Sequence, residues 1–157
     1  MVADCIIGFA FGYRKEGEQI LPGLSNEDLA RIAEQYLSDI PLILQFEIAD
    51  IYQGKGKVFR IEEHRSEGQY LDTREVAEQA LAIMENHGWQ SALLLAHPDH
   101  LPRVKTVCEK LGIKTVIPTN LEVRFDPESE QEWTRSKEAW GKREKQVVEY
   151  YKKQGWI

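Results

Sequence analysis

A short apolar run, Ala92-Leu93-Leu94-Leu95-Ala96, ends at His97-Pro98, and a helical pattern follows at once. The run is too short for a buried helix, and its unbroken apolarity is that of a strand covered on both faces. Asp99 is the expected N-cap of the helix, and Pro102 falls in the first turn, where a missing N–H costs nothing. Leu101, Val104, Val107, Cys108 and Leu111 form its apolar stripe, Gly112 ends it, and a second apolar run, Thr115-Val116-Ile117, follows. This is a β-α-β unit. It places two imidazoles (His97, His100), a carboxylate (Asp99) and a guanidinium (Arg103) at a strand's carboxyl end, where open parallel sheets hold their ligands.

The rest of the chain repeats the alternation. Cys5-Ile6-Ile7 reads as a buried strand running into Gly8-Phe9-Ala10-Phe11-Gly12, where Gly8 and Gly12 permit a tight turn and a close backbone approach to a ligand. Neither GxGxxG nor GxxxxGK[ST] occurs, so this turn carries no dinucleotide or P-loop fingerprint. Ser25, with Asp28 three residues on, is the expected cap of a helix whose stripe is Leu29, Ile32, Ala33, Tyr36, Leu37 and Ile40. Pro41 stops it, and Leu42 to Phe46 reads as a second strand. Gly54-Lys55-Gly56-Lys57 reads as a solvated turn, Val58 to Ile61 as a third strand. Asp72 and Glu75 form a capping box for a helix with Val76, Ala77, Ala80, Leu81 and Met84 on its buried face and Gly88 at its end. The segment after Pro118 is polar, and a last helix, about 133–154, carries Trp133, Trp140 and Tyr151 as its docking face. The expected fold is a three-layer α/β sandwich, with about five mostly parallel strands and helices on both faces.

Length and composition bound the function. A chain of 157 residues fits one domain with a proper core. The net charge of -6 argues against nucleic acid as partner, since a phosphate backbone demands a basic face. Cys5 and Cys108 form no CxxC pair and read as buried free thiols. No signal-like start and no apolar run of the roughly 20 residues needed to cross a bilayer is present, so a cytoplasmic protein without membrane contact is expected.

The chemistry centres on the cluster after Ala96. On a helix, His97 and His100 share one face and could bind zinc with Asp99 and the distant His64. Ala96-His97-Pro98-Asp99 is also similar to the opening of the AHPDD motif of LmbE-type zinc deacetylases. No Cys or His spacing completes a ligand set among the 4 histidines, and no bound metal is expected. The alternative is an anion site: a guanidinium fork at Arg103, free amides and the positive dipole end of the helix, and two imidazoles that titrate near neutrality.

At these residues the chain resembles the YdcF/SanA/ElyC family, a bacterial domain of unknown function. The likeness lies in Asp72-Thr73-Arg74-Glu75-Val76-Ala77, then Leu93-Leu94-Leu95, then Asp99-His100-Leu101-Pro102-Arg103-Val104. Ile61-Glu62 and the closing Glu144, Tyr150-Tyr151 and Gly155-Trp156 are similar to further family positions. Gln45-Phe46-Glu47 stands where that family has Ser-Gly-Gly, and Asp72 and Val76 stand where it has asparagines. The resemblance implies a single Rossmann-like domain over 1–157 with a strand-end pocket for a nucleotide-like or phosphorylated ligand. Gly8, Gly12, Asp72, Thr73, His97, Asp99 and Arg103 would line it. Two function classes stay open. One is a binding domain for a small anionic metabolite. The other is a hydrolase or transferase in which His100 is general acid or base, Glu75 its partner and Arg103 the charge clamp. The sequence names no cofactor, no particular ligand and no oligomeric state.

Overall fold

Strand β1, Cys5–Gly8, is buried at every position because it lies at the middle of the sheet with both neighbours parallel to it. The computed structural model describes residues 3–35, 40–62 and 71–157. Tyr36, Leu37 and His64 lie outside them.

The five-stranded sheet has the order β5-β4-β1-β6-β7, with β4 at Leu42–Gln45, β5 at Val58–Ile61, β6 at Ser91–Leu95 and β7 at Lys114–Val116. All four pairings are parallel, and Ile6 registers with Leu42 on one side and Leu93 on the other. From β1 the chain builds outward through β4 and β5, then returns to build the other half through β6 and β7. The order therefore reverses beside β1, which is where such sheets open a crevice at their carboxyl ends.

Side chains alternate across the sheet and feed two apolar layers. Cys5, Ile7, Ile43, Ile61 and Leu94 pack under helices α3, Thr73–His87, and α4, Leu101–Lys110. Ile6, Leu42, Leu44 and Leu95 pack under α1, Gly23–Gln35, and the short α2, Phe46–Ala49. The last helix, α5 at Lys137–Gln154, joins both layers, giving Trp140 to one and Tyr151 to the other. The fold is the expected three-layer α/β sandwich. No helix among the described residues is long and apolar enough to cross a membrane.

Local capping follows the sequence in some places and not in others. Asp72 caps α3, accepting the Glu75 amide at 2.8 Å, and Gly88 ends that helix in the left-handed region at φ 70. Ser25 does not cap α1, which begins two residues earlier. The Leu24 amide is instead taken by Asp126 Oδ2 at 3.1 Å, and the Ser25 hydroxyl donates to the Arg124 carbonyl at 2.6 Å. Nor does Asp99 cap α4. The His97 carbonyl accepts both the His100 and Leu101 amides at 2.9 Å, so a turn leads into the helix, and the Asp99 carboxylate pairs with Lys137 at 3.1 Å. A small antiparallel hairpin, β2 at Arg14–Glu16 and β3 at Gln19–Leu21, follows the β1 loop where no strand was expected. Trp133 sits in a 3-10 turn, Glu132–Thr134, ahead of α5 rather than within the helix.

Candidate functional site

A cleft of about 590 Å³ opens over the carboxyl ends of β1, β4 and β6. Its floor is a hydrogen-bonded chain. Arg103 Nη1 donates to Thr73 Oγ1 at 2.8 Å, and Thr73 Oγ1 lies 2.8 Å from His100 Nε2. The sequence brings these together because α3 and α4 each start at a strand end on the same edge. Arg103 is also held by Glu144 of α5, both of whose oxygens lie 3.0 Å from Nε. The guanidinium stands over the rings of Trp140 and Tyr151, with its side chain only 8% exposed. Nη2 makes no hydrogen bond among the described residues, and Arg103 lines the cleft.

Burial sets the electrostatics. The His100 ring, packed near Phe9, Phe11 and Trp140, is held neutral far below its usual range, first by burial and then by the Arg103 charge. Burial pushes Glu144 up from the usual carboxylate range, although Arg103 pulls the other way. Tyr151 is raised to about 12 by burial. Burial likewise raises Cys5 and Cys108, both free thiols, to about 12.

The opposite side of the cleft is built by the β4 and β5 ends. Gln45 Oε1 accepts the Ala10 amide at 2.9 Å, while Glu47 on α2 and Glu62 after β5 supply carboxylates. Aromatic walls come from Phe11, Tyr13, Phe46 and Trp133, the last covered by Arg143 at 3.8 Å from its ring centroid. Gln45 and Glu47 appeared in the sequence only as a departure from the family's Ser-Gly-Gly, and nothing pointed to Arg143. Glu144 and Tyr151 appeared only within the closing pattern of the resemblance.

Of the residues singled out from the sequence, Gly12, Asp72, Thr73, His100 and Arg103 line this cleft. Gly8, Glu75, His97 and Asp99 do not. Gly8 is a packing position: a Cβ there would come within 2.7 Å of the Leu44 side chain. Gly12 has φ +73, and a Cβ would stand 2.5 Å from the hydroxyls of Ser129 and Thr134. In the loop between them the Phe9, Ala10 and Phe11 amides are taken by Leu95, Gln45 and Asn26, which leaves little for a phosphate cradle. Asp72 lines the cleft with its carboxylate committed to capping α3.

The two histidines are separated. Because a turn rather than a helix spans them, His100 faces the cleft, whereas His97 lines a shallow groove of about 370 Å³ with Asp99, Arg124 and Lys137. His97 stacks on Phe11 at 4.1 Å, accepts the Asp99 amide on Nδ1 at 3.1 Å, and is lowered to about 4 by burial. Of the amides leading into α4, those of Asp99, His100 and Leu101 are engaged by His97 itself. Among the described residues no group of three or more His, Cys, Asp or Glu is placed to hold a metal ion. His64, the distant zinc candidate, lies outside those residues.

No family model matches this chain, and searches of curated proteins and of solved structures find no match. The resemblance to the YdcF/SanA/ElyC family rests on the quoted residues alone.

Proposed function

We propose that this chain is a YdcF-like binding domain for a small, partly anionic metabolite, nucleotide-like or phosphorylated. One observation carries the reading. Arg103 is a nearly buried guanidinium whose Nη2 has no hydrogen bond among the described residues, held rigid by Glu144 and Thr73 at the bottom of a ligand-sized cleft. A guanidinium fixed in this way offers a preorganised donor to a phosphate or carboxylate oxygen. Aromatic side chains, Tyr13 among them, give the cleft walls an apolar surface as well.

The alternative, a hydrolase or transferase on such a substrate, needs His100 as acid or base. A neutral ring buried beside Arg103 resists taking a proton, and Glu75, its intended partner, lies off the cleft. The geometry therefore favours binding over turnover.

Titration calorimetry with AMP, ADP, UMP, a hexose phosphate and inorganic phosphate tests the reading. At least one should bind. Because Arg103→Ala would strand Glu144 in a buried place and destabilise the fold, the informative variant is Arg103→Ala combined with Glu144→Gln. It should lose roughly ten- to hundredfold in affinity while remaining folded. No binding by the parent protein, or full binding by the double variant, would sink the proposal.

A further inference from the structure

Across the cleft from Arg103, Glu47 has no evident structural task. It lies two residues past β4, lines the cleft and is only 8% exposed, yet its Oε1 has no hydrogen-bond partner among the described residues. Arg60 on β5 attracts it only through space, its guanidinium being engaged by Asp50 and Glu62. A buried carboxylate oxygen left unpaired costs stability, and native structures satisfy such atoms or use them.

We infer that Glu47 is the cleft's acceptor for the hydroxyl pair of a ribose-like sugar, so that the ligand is a ribonucleotide rather than any small phosphorylated compound. This rests on the binding reading above. A carboxylate accepts two O–H donors side by side, a match to a vicinal diol that an amide cannot reproduce with the same charge. The sheet order divides the labour. Residues after β4 and β5, on one side of β1, carry Glu47 and Glu62, while residues after β6, on the other side, carry His100 and Arg103. Gln45, beside Glu47, commits Oε1 to the Ala10 amide, and its Nε2 makes no hydrogen bond among the described residues. The cleft thus has an anion end and a hydroxyl end, with aromatic rings along its walls. Burial raises Glu47 to about 7, so the carboxylate that accepts a diol is the dominant form in mildly alkaline solution.

The test titrates three probes at mildly alkaline pH into the parent and into Glu47→Gln: inorganic phosphate, AMP, and dideoxy-AMP, which lacks both ribose hydroxyls. The parent should bind AMP roughly tenfold more tightly than dideoxy-AMP, the worth of a charge-assisted contact. Glu47→Gln should erase that preference while inorganic phosphate still binds. Phosphate binding without AMP binding, equal affinity for the two nucleotides, or a preference that survives in Glu47→Gln overturns this inference alone. If the parent binds neither phosphate nor any nucleotide, the binding reading falls and this inference with it.

Discussion

Glu47 also makes a prediction about stability that needs no ligand. Its carboxyl ionises near 4.5 in an unfolded chain but holds its proton to about 7 in the fold, chiefly through burial. Asp50, which caps the end of the same short helix, adds to the rise, and Arg60 on β5 partly opposes it. Between these two values the folded protein binds more protons than the unfolded chain, so stability falls as pH rises through that window. The penalty is absent below it and fully developed above it, at about 3 kcal/mol. Glu47→Gln cannot ionise. Its melting temperature should exceed the parent's above neutrality and match it in acid; a variant no more stable than the parent at alkaline pH would refute the assignment. The reverse logic holds at Arg103, where the buried pair with Glu144 makes each partner necessary to the other.

The segment from Pro118 to Thr134 shows how an element without regular structure is fixed. Asp126 is 2% exposed and accepts two hydrogen bonds from Arg14, at 2.8 and 2.7 Å, and further ones from the Leu24 and Glu128 amides. Asp28 plays a similar part toward Arg124, accepting its amide and both arms of its guanidinium. Burial alone would raise the Asp126 pKa, but Arg14 and the two amides outweigh it and hold the carboxyl below its usual range. Its contribution to stability is therefore present above the usual carboxylate pKa and lost as pH falls through the depressed one. Asp126→Ala removes the hub, leaving the Leu24 and Glu128 amides unsatisfied and Arg14 with only the exposed Glu128 as partner. The expected loss is about 3 kcal/mol by urea unfolding, with faster hydrogen exchange at the Leu24 amide. A loss no larger than that of an exposed ion pair, below about 1 kcal/mol, would show that the segment is held by other contacts.

On the scale of the whole molecule, two apolar layers share one sheet, and α5 reaches both through Trp140 and Tyr151. The same helix supplies Glu144 to the cleft floor, so removing α5 would open the core and the site together. Such coupling leaves no part able to melt alone. Urea unfolding should give one transition, coincident by tryptophan fluorescence and far-UV circular dichroism. Trp133 and Trp140 report on the α5 end of the cleft, and circular dichroism reports on the sheet and all helices. A separate early fluorescence transition would mean that α5 docks as an independent unit.

The sequence by itself determined the strands of the five-stranded sheet, though not the small β2–β3 hairpin, because period and continuous apolarity are local properties: Ala92 to Ala96 had to be covered on both faces, and Leu94 is fully buried. It also determined the Asp72 cap and the Gly88 stop, which depend on residues within one turn. It placed Thr73, His100 and Arg103 on one edge, since helices that follow parallel strands start there. What only the tertiary structure decided was every partner distant in the chain. Asp126 caps α1 from about a hundred positions away, and Glu144, not Glu75, holds Arg103. The turn at Pro98 to His100 sends His97 and His100 to different cavities, a divergence that a spacing of three cannot reveal. Gln45-Phe46-Glu47 stood out in the sequence only as a departure from the family pattern; in the fold it is one wall of the cleft. Local signals fix elements because their interactions close within a turn or a strand. A site closes across the sheet, and its pairings exist only once the strands have taken their order.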